Sequence, residues 1–282
     1  NNGKTLASII NDAPINQWDK RSGFVWRPKN SPEKYDGPIR IRSALAQSKN
    51  VISVRLLRAV GLDKVIYHLA EFGFAPDELP RNESLALGSA SLTPLEVVTG
   101  FSTFANGGFL VSPYLVDRVE DSFNNVVYQA EPVVACQSCE ADQLTASISD
   151  DAEAIAATTN IKAPRIITAE NAFLITQAMH SAIWEREGSY SKGTFWRGTG
   201  WRATSLKRQD IAGKTGTTNE AKDAWFSGFN RHLAATSWIG FDDHSRSLGR
   251  TRYNNNLDKN QVYLGEAGAK SAQPAWIKFM SV

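Results

Sequence analysis

The stretch Ile211-Ala-Gly-Lys-Thr-Gly-Thr-Thr-Asn219 precedes two runs rich in aromatic and β-branched residues, at 224–229 and 233–241. Only three residues separate these two runs, a gap of hairpin length, so the segment predicts neighbouring antiparallel strands. Earlier in the chain the signals are mostly helical. Helices followed by antiparallel strands, themselves flanked by helices, are typical of the α+β class rather than of a βαβ alternation. The sequence therefore predicts an α+β fold built around an antiparallel sheet.

The same stretch also predicts a binding site. If it is a strand, its alternation places Thr215 and Thr217 on one face, with hydroxyls about 6–7 Å apart. Gly216 between them lets an extended peptide approach and pair with the backbone. Lys214 supplies a positive charge beside the two hydroxyls. We therefore expect a receptor for an extended chain that ends in a carboxylate.

A phosphate-binding loop is the alternative interpretation of a lysine followed by threonine. Its G-x-x-x-x-G-K-[ST] pattern requires Gly at position 208, where this sequence has Arg208, and the chain contains no other nucleotide fingerprint. The 282 residues include 31 basic and 29 acidic side chains, a net charge of +2 that does not favour nucleic acid or a membrane surface as a partner. We therefore expect no cofactor and no nucleic-acid partner.

The two cysteines, Cys136 and Cys139, form a single C-x-x-C. Such a pair is compatible with a redox site, half of a zinc site or a small loop disulfide. A closed zinc site needs four ligands, and none of the four histidines shows the paired spacing of a zinc finger. The pair also lies in a loop-like stretch rather than at the start of a helix, where a thioredoxin-type motif would lie. We expect it to be structural or incidental, and we expect no metal site.

Start and stop signals predict several helices. Thr93-Pro94-Leu95-Glu96 is a capping box with proline at the first helical position, and Asp63 is a candidate cap for an earlier helix. The expected helices span 39–60, 63–72, 93–105, a segment that begins at Thr168, and 274–282. A β-hairpin is expected from 115–121 and 126–130, with Asn124-Asn125 in its turn.

The first of these helices contains an irregular point. Gln47-Ser48-Lys49-Asn50 lies in an otherwise apolar helical stretch, although Ser and Asn are poor helix formers. Ser48 and Asn50, two positions apart, indicate a local break that presents a hydroxyl and an amide at a surface. The alternative is that both are polar residues on a solvated helix face.

Together these motifs resemble a known family. Ser48-Lys49-Asn50 and Lys214-Thr215-Gly216 match the S-x-N and K-T-G motifs of penicillin-binding proteins and serine β-lactamases. Further matches are Trp26-Arg-Pro-Lys-Asn-Ser-Pro, Gly37-Pro-Ile-Arg, Ala46-Gln-Ser-Lys-Asn-Val, Glu83-Ser-Leu-Ala-Leu-Gly-Ser-Ala-Ser-Leu-Thr-Pro, Ala105-Asn-Gly-Gly-Phe, Gly198-Thr-Gly-Trp-Arg-Ala and Lys222-Asp-Ala-Trp-Phe-Ser-Gly. From about Lys4 onward the chain resembles the transpeptidase domain of a class A, 1A-type penicillin-binding protein of Gram-negative bacteria. The resemblance implies the penicillin-binding/serine β-lactamase-like fold, in which helices flank an antiparallel sheet and a second subdomain is all-helical.

The third family motif, S-x-x-K, carries the nucleophilic serine and the lysine that activates it. Two strings fit this pattern, Ser31-Pro-Glu-Lys34 and Ser189-Tyr-Ser-Lys192. In the family, the nucleophile begins a helix that precedes S-x-N. Ser31 is followed by proline within a segment that matches another part of the domain, and Ser189 follows S-x-N. We therefore expect the nucleophile to lie upstream of Asn1, and no nucleophile within this chain.

The resemblance implies a role for each motif residue. Ser48 relays a proton to the leaving amine and is held by Asn50 and Lys214. The hydroxyls of Thr215 and Thr217 bind the substrate's terminal carboxylate, Gly216 belongs to the same substrate-binding strand, and the Thr217 N–H forms half of the oxyanion hole.

The resemblance also implies an organisation and a set of partners. The chain is expected to be the C-terminal part of a transpeptidase domain: a mostly helical part with S-x-N (1–110), a hairpin with an acidic insertion (111–165), and a helix and sheet part with K-T-G (166–282). The implied activity is serine-type D-Ala-D-Ala transpeptidation at the periplasmic face of the bacterial inner membrane. The implied partners are peptidoglycan stem peptides, β-lactam antibiotics, and an upstream segment with S-x-x-K and a glycosyltransferase domain.

Two other functions stay open at this point. A serine β-lactamase-like hydrolase shares the fold, although the 166 positions between Ser48 and Lys214 exceed the interval in those compact enzymes. A non-catalytic fragment that packs against a partner chain holding the nucleophile is the second alternative. Whether the chain is a fragment of a transpeptidase domain or a non-catalytic fragment, the isolated chain is expected to be inactive.

Overall fold

The computed structural model describes residues 3–18, 25–135, 162–243, 245–251, 264–265 and 267–281. Its helices are α1 (Ile41–Ala46), α2 (Asn50–Val60), α3 (Leu62–Glu71), α4 (Pro94–Ala105), α5 (Ala169–Trp184) and α6 (Gln273–Met280), with short 3₁₀ turns at Glu83–Leu87, Trp201–Leu206 and Asn219–Ala221. Its strands are β1 (Ile9–Asp12), β2 (Gln17–Trp18), β3 (Val25–Trp26), β4 (Gly37–Arg40), β5 (Arg118–Glu120), β6 (Val126–Gln129), β7 (Arg186–Glu187), β8 (Trp196–Arg197), β9 (Ala212–Thr217), β10 (Asp223–Phe229), β11 (Ala234–Gly240), β12 (Arg250–Thr251) and β13 (Leu264–Gly265).

The predicted strands form a three-stranded antiparallel sheet in the order β11-β10-β9. Gly216 lies opposite Trp225 in this register, and Trp225 lies opposite Trp238. The α+β fold class is confirmed. Within the described residues β9 is an outer strand of the sheet, so one of its edges is left for other contacts.

Apolar clusters cover both faces of this sheet. Phe226 on one face is fully buried and packs edge-on against Trp276 of α6, in a cluster completed by Ile183 of α5. Phe229 has the opposite parity on β10 and packs on the other face with Met179 of α5. Each such side chain contributes roughly 1.5–3 kcal/mol on burial. The two clusters therefore fix the sheet between α6 and the helices α4 and α5.

The predicted break in the first helix is present, and it separates α1 from α2. The prediction for Asp63 is wrong, because Gly61 caps α3 and Asp63 lies in its first turn. Gly61 has a φ of 96° and directly joins α2 to α3, so no residue remains between them for a side-chain cap. Asp63 still interacts favourably with the positive end of the helix dipole.

The other helix signals are confirmed. Thr93 and Glu96 form a complete capping box at the start of α4, and Thr168 caps α5 by accepting a hydrogen bond from the Asn171 N–H. The hairpin β5–β6 turns at Asn124, which has a φ of 63°. Cys136, Cys139 and the acidic stretch of 140–160 lie outside the described residues. No helix in the described part of the chain is long and apolar enough to cross a membrane.

The expected helix start at position 39 is wrong, because Ile39 and Arg40 pair with β1 as the end of β4, and α1 begins at Ile41. β1 pairs with β4, with Asp12 opposite Gly37 and Ile10 opposite Ile39, and β2 pairs with β3. The β1–β4 pair leads directly into α1, so it anchors the start of the segment that carries Ser48.

Thr93→Ala tests the capping box. The change leaves the Glu96 N–H at the start of α4 without its side-chain acceptor, and we expect a loss of about 1 kcal/mol in the free energy of unfolding. Urea denaturation followed by circular dichroism measures it. Ser91→Ala, an exposed serine two positions earlier, is the matched control and should leave the midpoint unchanged; equal midpoints for both variants would contradict a stabilising cap.

Candidate active site

The structure brings together two predicted site residues that are 166 positions apart. The Lys214 ammonium donates a hydrogen bond of 2.9 Å to the Ser48 hydroxyl and one of 2.8 Å to the Thr215 carbonyl. Ser48 lies in the turn between α1 and α2, and Lys214 lies on β9. The contact therefore joins the helical part of the chain to the edge of the sheet.

The turn that carries Ser48 has a defined geometry. The Lys49 N–H bonds to the Ala44 carbonyl at 2.9 Å and the Ser48 N–H bonds to the Leu45 carbonyl at 3.0 Å, which is the Schellman arrangement for ending a helix. Ser48 occupies the left-handed position of this motif, with a φ of 58°. Glycine usually fills that position, and a residue with a Cβ costs roughly 1–2 kcal/mol more there.

The Lys214 amine has a perturbed acidity. Burial removes water from the ammonium and lowers the pKa of Lys214 to about 8. About a tenth of the amine is then neutral at pH 7, and the fraction rises steeply above that pH. An amine poised in this way, and hydrogen-bonded to a hydroxyl, is able to give or take a proton through Ser48.

The two threonine hydroxyls of β9 both have partners. Thr215 donates to the Thr199 hydroxyl at 2.8 Å, and the Thr199 N–H in turn bonds to the Ala46 carbonyl of α1 at 3.0 Å. Thr217 accepts from the Gly268 N–H at 3.0 Å, which leaves its own hydroxyl proton available for a ligand. The hydroxyls are thus pre-oriented by neighbouring loops.

Gly216 and Gly268 make a close backbone approach. A Cβ at position 268 would lie 2.4 Å from the Gly216 carbonyl oxygen and 2.2 Å from that of Trp225. Any side chain at 268 would therefore displace the loop that donates to Thr217.

Asn50 is placed differently from Ser48. Its side-chain amide donates to the Lys29 carbonyl at 2.8 Å, and no hydrogen bond joins Asn50 to Ser48 or Lys214 in the described part of the chain. Its amide ties α2 to the preceding loop, and its expected role beside the leaving amine stays a prediction.

Two residues of the site, Thr199 and Gly268, were not predicted from the sequence. Thr199 stands between two glycines, and Cβ atoms at Gly198 and Gly200 would lie 2.2 and 3.3 Å from the Ala182 carbonyl oxygen. Paired glycines around a polar residue are a signal of close backbone approach. No comparable local signal marks Gly268, which follows a segment of the chain that the structure does not describe.

The structure shows the surroundings of the two S-x-x-K strings, and the expectation that neither carries the nucleophile stays a prediction. Ser31 and Lys34 are exposed, and Lys34 pairs with Asp36 instead. Ser189 is hydrogen-bonded to Ser191. Neither serine bonds to the lysine of its own string in the described residues. Among those residues there is also no group of three or more side chains arranged to hold a metal ion.

Comparison with known proteins agrees with this geometry. A family profile described as "Penicillin binding protein transpeptidase domain" matches residues 6–247, a span that includes both Ser48 and Lys214. The chain belongs to this transpeptidase family. Its S-x-N and K-T-G motifs are the segments that the structure brings into contact.

Relatives of this transpeptidase domain are longer proteins. The chain is 51% identical over its full length to penicillin-binding protein 1A of Vibrio cholerae, and 43% identical over 99% of its length to that of Escherichia coli. It covers 33% and 36% of those two proteins, so it spans about a third of the length of the curated relatives it matches.

Solved structures confirm the fold. A crystal structure of penicillin-binding protein 1A from Haemophilus influenzae matches 99% of this chain with a TM-score of 0.82 and 41% identity, and the match covers 39% of that chain. PonA1 from Mycobacterium tuberculosis matches 99% with a TM-score of 0.64 at 18% identity, which shows a likeness of fold. The penicillin-binding fold implied by the motifs is therefore confirmed.

The Lys214 amine should titrate with a midpoint near pH 8. We expect one lysine signal in isotope-edited NMR to show this midpoint and to disappear in Lys214→Arg. Because the folded pKa is below the unfolded value of about 10.4, the folded state binds fewer protons between these limits, so unfolding becomes more costly as pH rises from about 8 to 10.4. Lys214→Met should lose that rise. A Lys214 midpoint near 10.4 would contradict the desolvated site.

Proposed function

We propose that this chain supplies the proton relay and the carboxylate site of a peptidoglycan D,D-transpeptidase whose nucleophilic serine lies on an upstream segment. The observation that carries the proposal is the 2.9 Å hydrogen bond from Lys214 to Ser48. It joins the S-x-N and K-T-G motifs with a lysine whose pKa is lowered to about 8. Membership of the transpeptidase family and similarity to penicillin-binding proteins 1A support the same chemistry.

The proposed acylation conserves its protons. The upstream serine oxygen bonds to the carbonyl carbon of the penultimate D-Ala of a stem pentapeptide, and its proton passes to the lysine of the upstream S-x-x-K. The peptide bond to the terminal D-Ala breaks, and the leaving nitrogen takes the hydroxyl proton of Ser48. Lys214 then reprotonates Ser48. An amine from a neighbouring stem peptide then attacks the ester carbonyl, and the proton it loses passes through Ser48 to Lys214. The ester bond breaks as the crosslinking amide forms, and the released serine oxygen takes its proton back from the lysine of S-x-x-K.

The proposed binding site of the stem peptide is the edge of β9. The terminal carboxylate would be held by the positive charge of Lys214 and by the hydroxyls of Thr215 and Thr217, and each charge-assisted hydrogen bond contributes roughly 1.5–3 kcal/mol. Thr217 has a free hydroxyl proton for this role, since its oxygen accepts from Gly268. The Thr217 N–H is proposed as one oxyanion donor, and the upstream serine N–H as the other.

An apolar groove supports the existence of an upstream partner segment. It has a volume of about 980 Å³ and lies between α2, α3, α4 and α5. Its lining includes Leu69, Phe74, Phe101 and Phe104. The last two pack against the buried cluster around Phe229, as does Leu45, which is three residues before Ser48. Apolar surface of this extent normally has a covering element. We propose that the helix with S-x-x-K occupies the groove and thereby presents its serine to Ser48.

The setting of the reaction follows from the relatives. The matching proteins are named penicillin-binding protein 1A and come from Gram-negative bacteria. We propose that the complete protein acts at the periplasmic face of the inner membrane, that β-lactam antibiotics acylate the same serine because they mimic D-Ala-D-Ala, and that a glycosyltransferase domain precedes this chain.

Labelling with a fluorescent penicillin tests whether the active site is shared between this chain and an upstream segment that carries the nucleophile. We expect no covalent adduct on the 282-residue chain alone, because the attacking oxygen is elsewhere, and a gel-stable adduct when the upstream segment is added in cis or in trans. An upstream segment with its nucleophile changed from Ser to Ala is the matched control. A stable adduct on any serine of residues 1–282 would overturn the proposal.

Substitutions in the complete protein test the relay. Ser48→Ala or Lys214→Ala should lower the crosslinking rate by about 10²–10⁴-fold, because each removes a group that transfers a proton in the rate-limiting steps. Ser189→Ala and Lys192→Ala, in the exposed string, are controls that should retain full activity. Mass spectrometry of crosslinked muropeptides gives the rate, and near-normal rates for the first pair would refute the assigned roles.

A further inference from the structure

Lys49, the middle residue of the S-x-N motif, has no role in the proposed chemistry and is nevertheless buried. Only 8% of its side chain is exposed, and the side chain of its partner Asp12 is completely buried. A lysine at this degree of burial is rare unless its charge is compensated. Lys49 lies directly after Ser48, whose backbone is in the left-handed region.

The Lys49 ammonium has three oxygen partners. It forms ion pairs with the Asp12 carboxylate at 3.0 Å and with the Asp36 carboxylate, and it donates a hydrogen bond of 3.2 Å to the Lys34 carbonyl. Burial acts to raise the pKa of Asp36, but the hydrogen bond and charge of Lys49 outweigh it and lower that pKa. Asp36 is therefore ionised near neutral pH.

The acceptors of Lys49 are themselves held in place. Asn30 donates to Asp12 at 2.8 Å and to the Lys34 carbonyl at 3.0 Å, and its own oxygen accepts the Val51 N–H of α2 at 3.1 Å. Asp12 also accepts the Asp36 N–H at 3.1 Å. Asn30 thus caps the first turn of α2 from a distant part of the chain, which explains why α2 has no cap from its own N-cap residue.

These contacts surround the turn that holds Ser48 in the left-handed region of backbone conformation. The Lys49 N–H closes the Schellman bond to Ala44 on one side of Ser48. The Lys49 side chain is anchored on the other side to β1, through Asp12, and to the segment before β4, through Asp36. A residue in an unfavourable backbone region persists only when its surroundings determine its conformation.

We propose that Lys49, Asp12, Asp36 and Asn30 form a buried clamp that holds the α1–α2 turn so that the Ser48 hydroxyl lies on the Lys214 ammonium. Lys49 is accordingly a positioning residue for the relay. The inference rests on the proposed function for its catalytic meaning, and on the structure alone for its geometry.

A role in stability alone is a weaker account of this cluster. Replacing a buried ion pair with well-packed apolar groups is often neutral or stabilising, because the charges must be desolvated. Glycine at position 48 would also remove the backbone strain without any clamp. This chain has neither an apolar cluster in place of the ion pairs nor glycine at position 48. It combines a serine in the left-handed region with a buried lysine that has three oxygen partners.

The test uses the 282-residue chain carrying both Lys49→Met and Asp12→Asn, so that no buried charge is left unpaired. The readout is the NMR titration of Lys214. When the turn relaxes, Ser48 leaves Lys214 and water reaches the ammonium, so we expect the midpoint to rise from about 8 by one pH unit or more. Asp36→Asn, at the more exposed side of the clamp, is a milder second variant and should give a smaller shift in the same direction.

Arg58→Met is the matched control. Arg58 lies on α2, the helix that Lys49 directly precedes, and pairs bidentately with Glu83, at 2.7 and 2.8 Å. Its loss therefore also removes an ion pair next to the turn. It should leave the Lys214 midpoint unchanged. If the double variant and Asp36→Asn are folded by circular dichroism and both keep the wild-type Lys214 midpoint within 0.3 pH unit, the clamp proposal is overturned.

A second readout separates this inference from the proposed function. In the complete protein we expect the double variant to acylate with fluorescent penicillin at least tenfold more slowly, while Arg58→Met acylates at the wild-type rate. If the wild-type protein itself is not acylated, the proposed function fails, and the Lys214 titration still decides the clamp. If acylation is unaffected although the midpoint shifts, the clamp has no catalytic role.

Discussion

The hydrogen bond from Lys214 to Ser48 is the contact on which the site depends, because it joins a strand of the sheet to the turn at the end of α1. On one side, the position of Lys214 follows from the register of β9 against β10 and from the apolar clusters on both faces of the sheet. On the other side, the position of Ser48 follows from the end of α1. An error of one residue in the strand register would turn the lysine to the opposite face of the sheet.

The two sides of this contact are stabilised by different physical means. The sheet is held by hydrocarbon burial around Phe226 and Trp276, which tolerates small changes of shape and has no directional requirement. The turn at Ser48 is held by directional contacts: two Schellman hydrogen bonds and the ionic network of Lys49 with Asp12. Directional contacts suit a hydroxyl that must be placed within a few tenths of an ångström of its partner.

Features that depend on neighbouring residues were predictable from the sequence, and features that depend on distant segments were not. The strands, the capping box at Thr93 and the break at Ser48 were predictable, because each arises from local propensity or from a periodic pattern. The capping of α3 was not, because Gly61 joins two helices without a linker and leaves no place for Asp63 as the cap. Thr199 was also not predicted, because its contact with Thr215 is formed only when a segment 16 positions earlier in the sequence folds back against β9.

The sequence by itself determined the fold class, the transpeptidase family and the motif residues Ser48 and Lys214, because strand alternation and short motifs are local properties of the chain. Only the tertiary structure decided what surrounds them. It showed that desolvation lowers the pKa of Lys214, that Asn50 bonds to the Lys29 carbonyl, and that Lys49 is enclosed by Asp12 and Asp36. Burial and long-range hydrogen bonds depend on segments that are far apart in sequence, so no local pattern contains them.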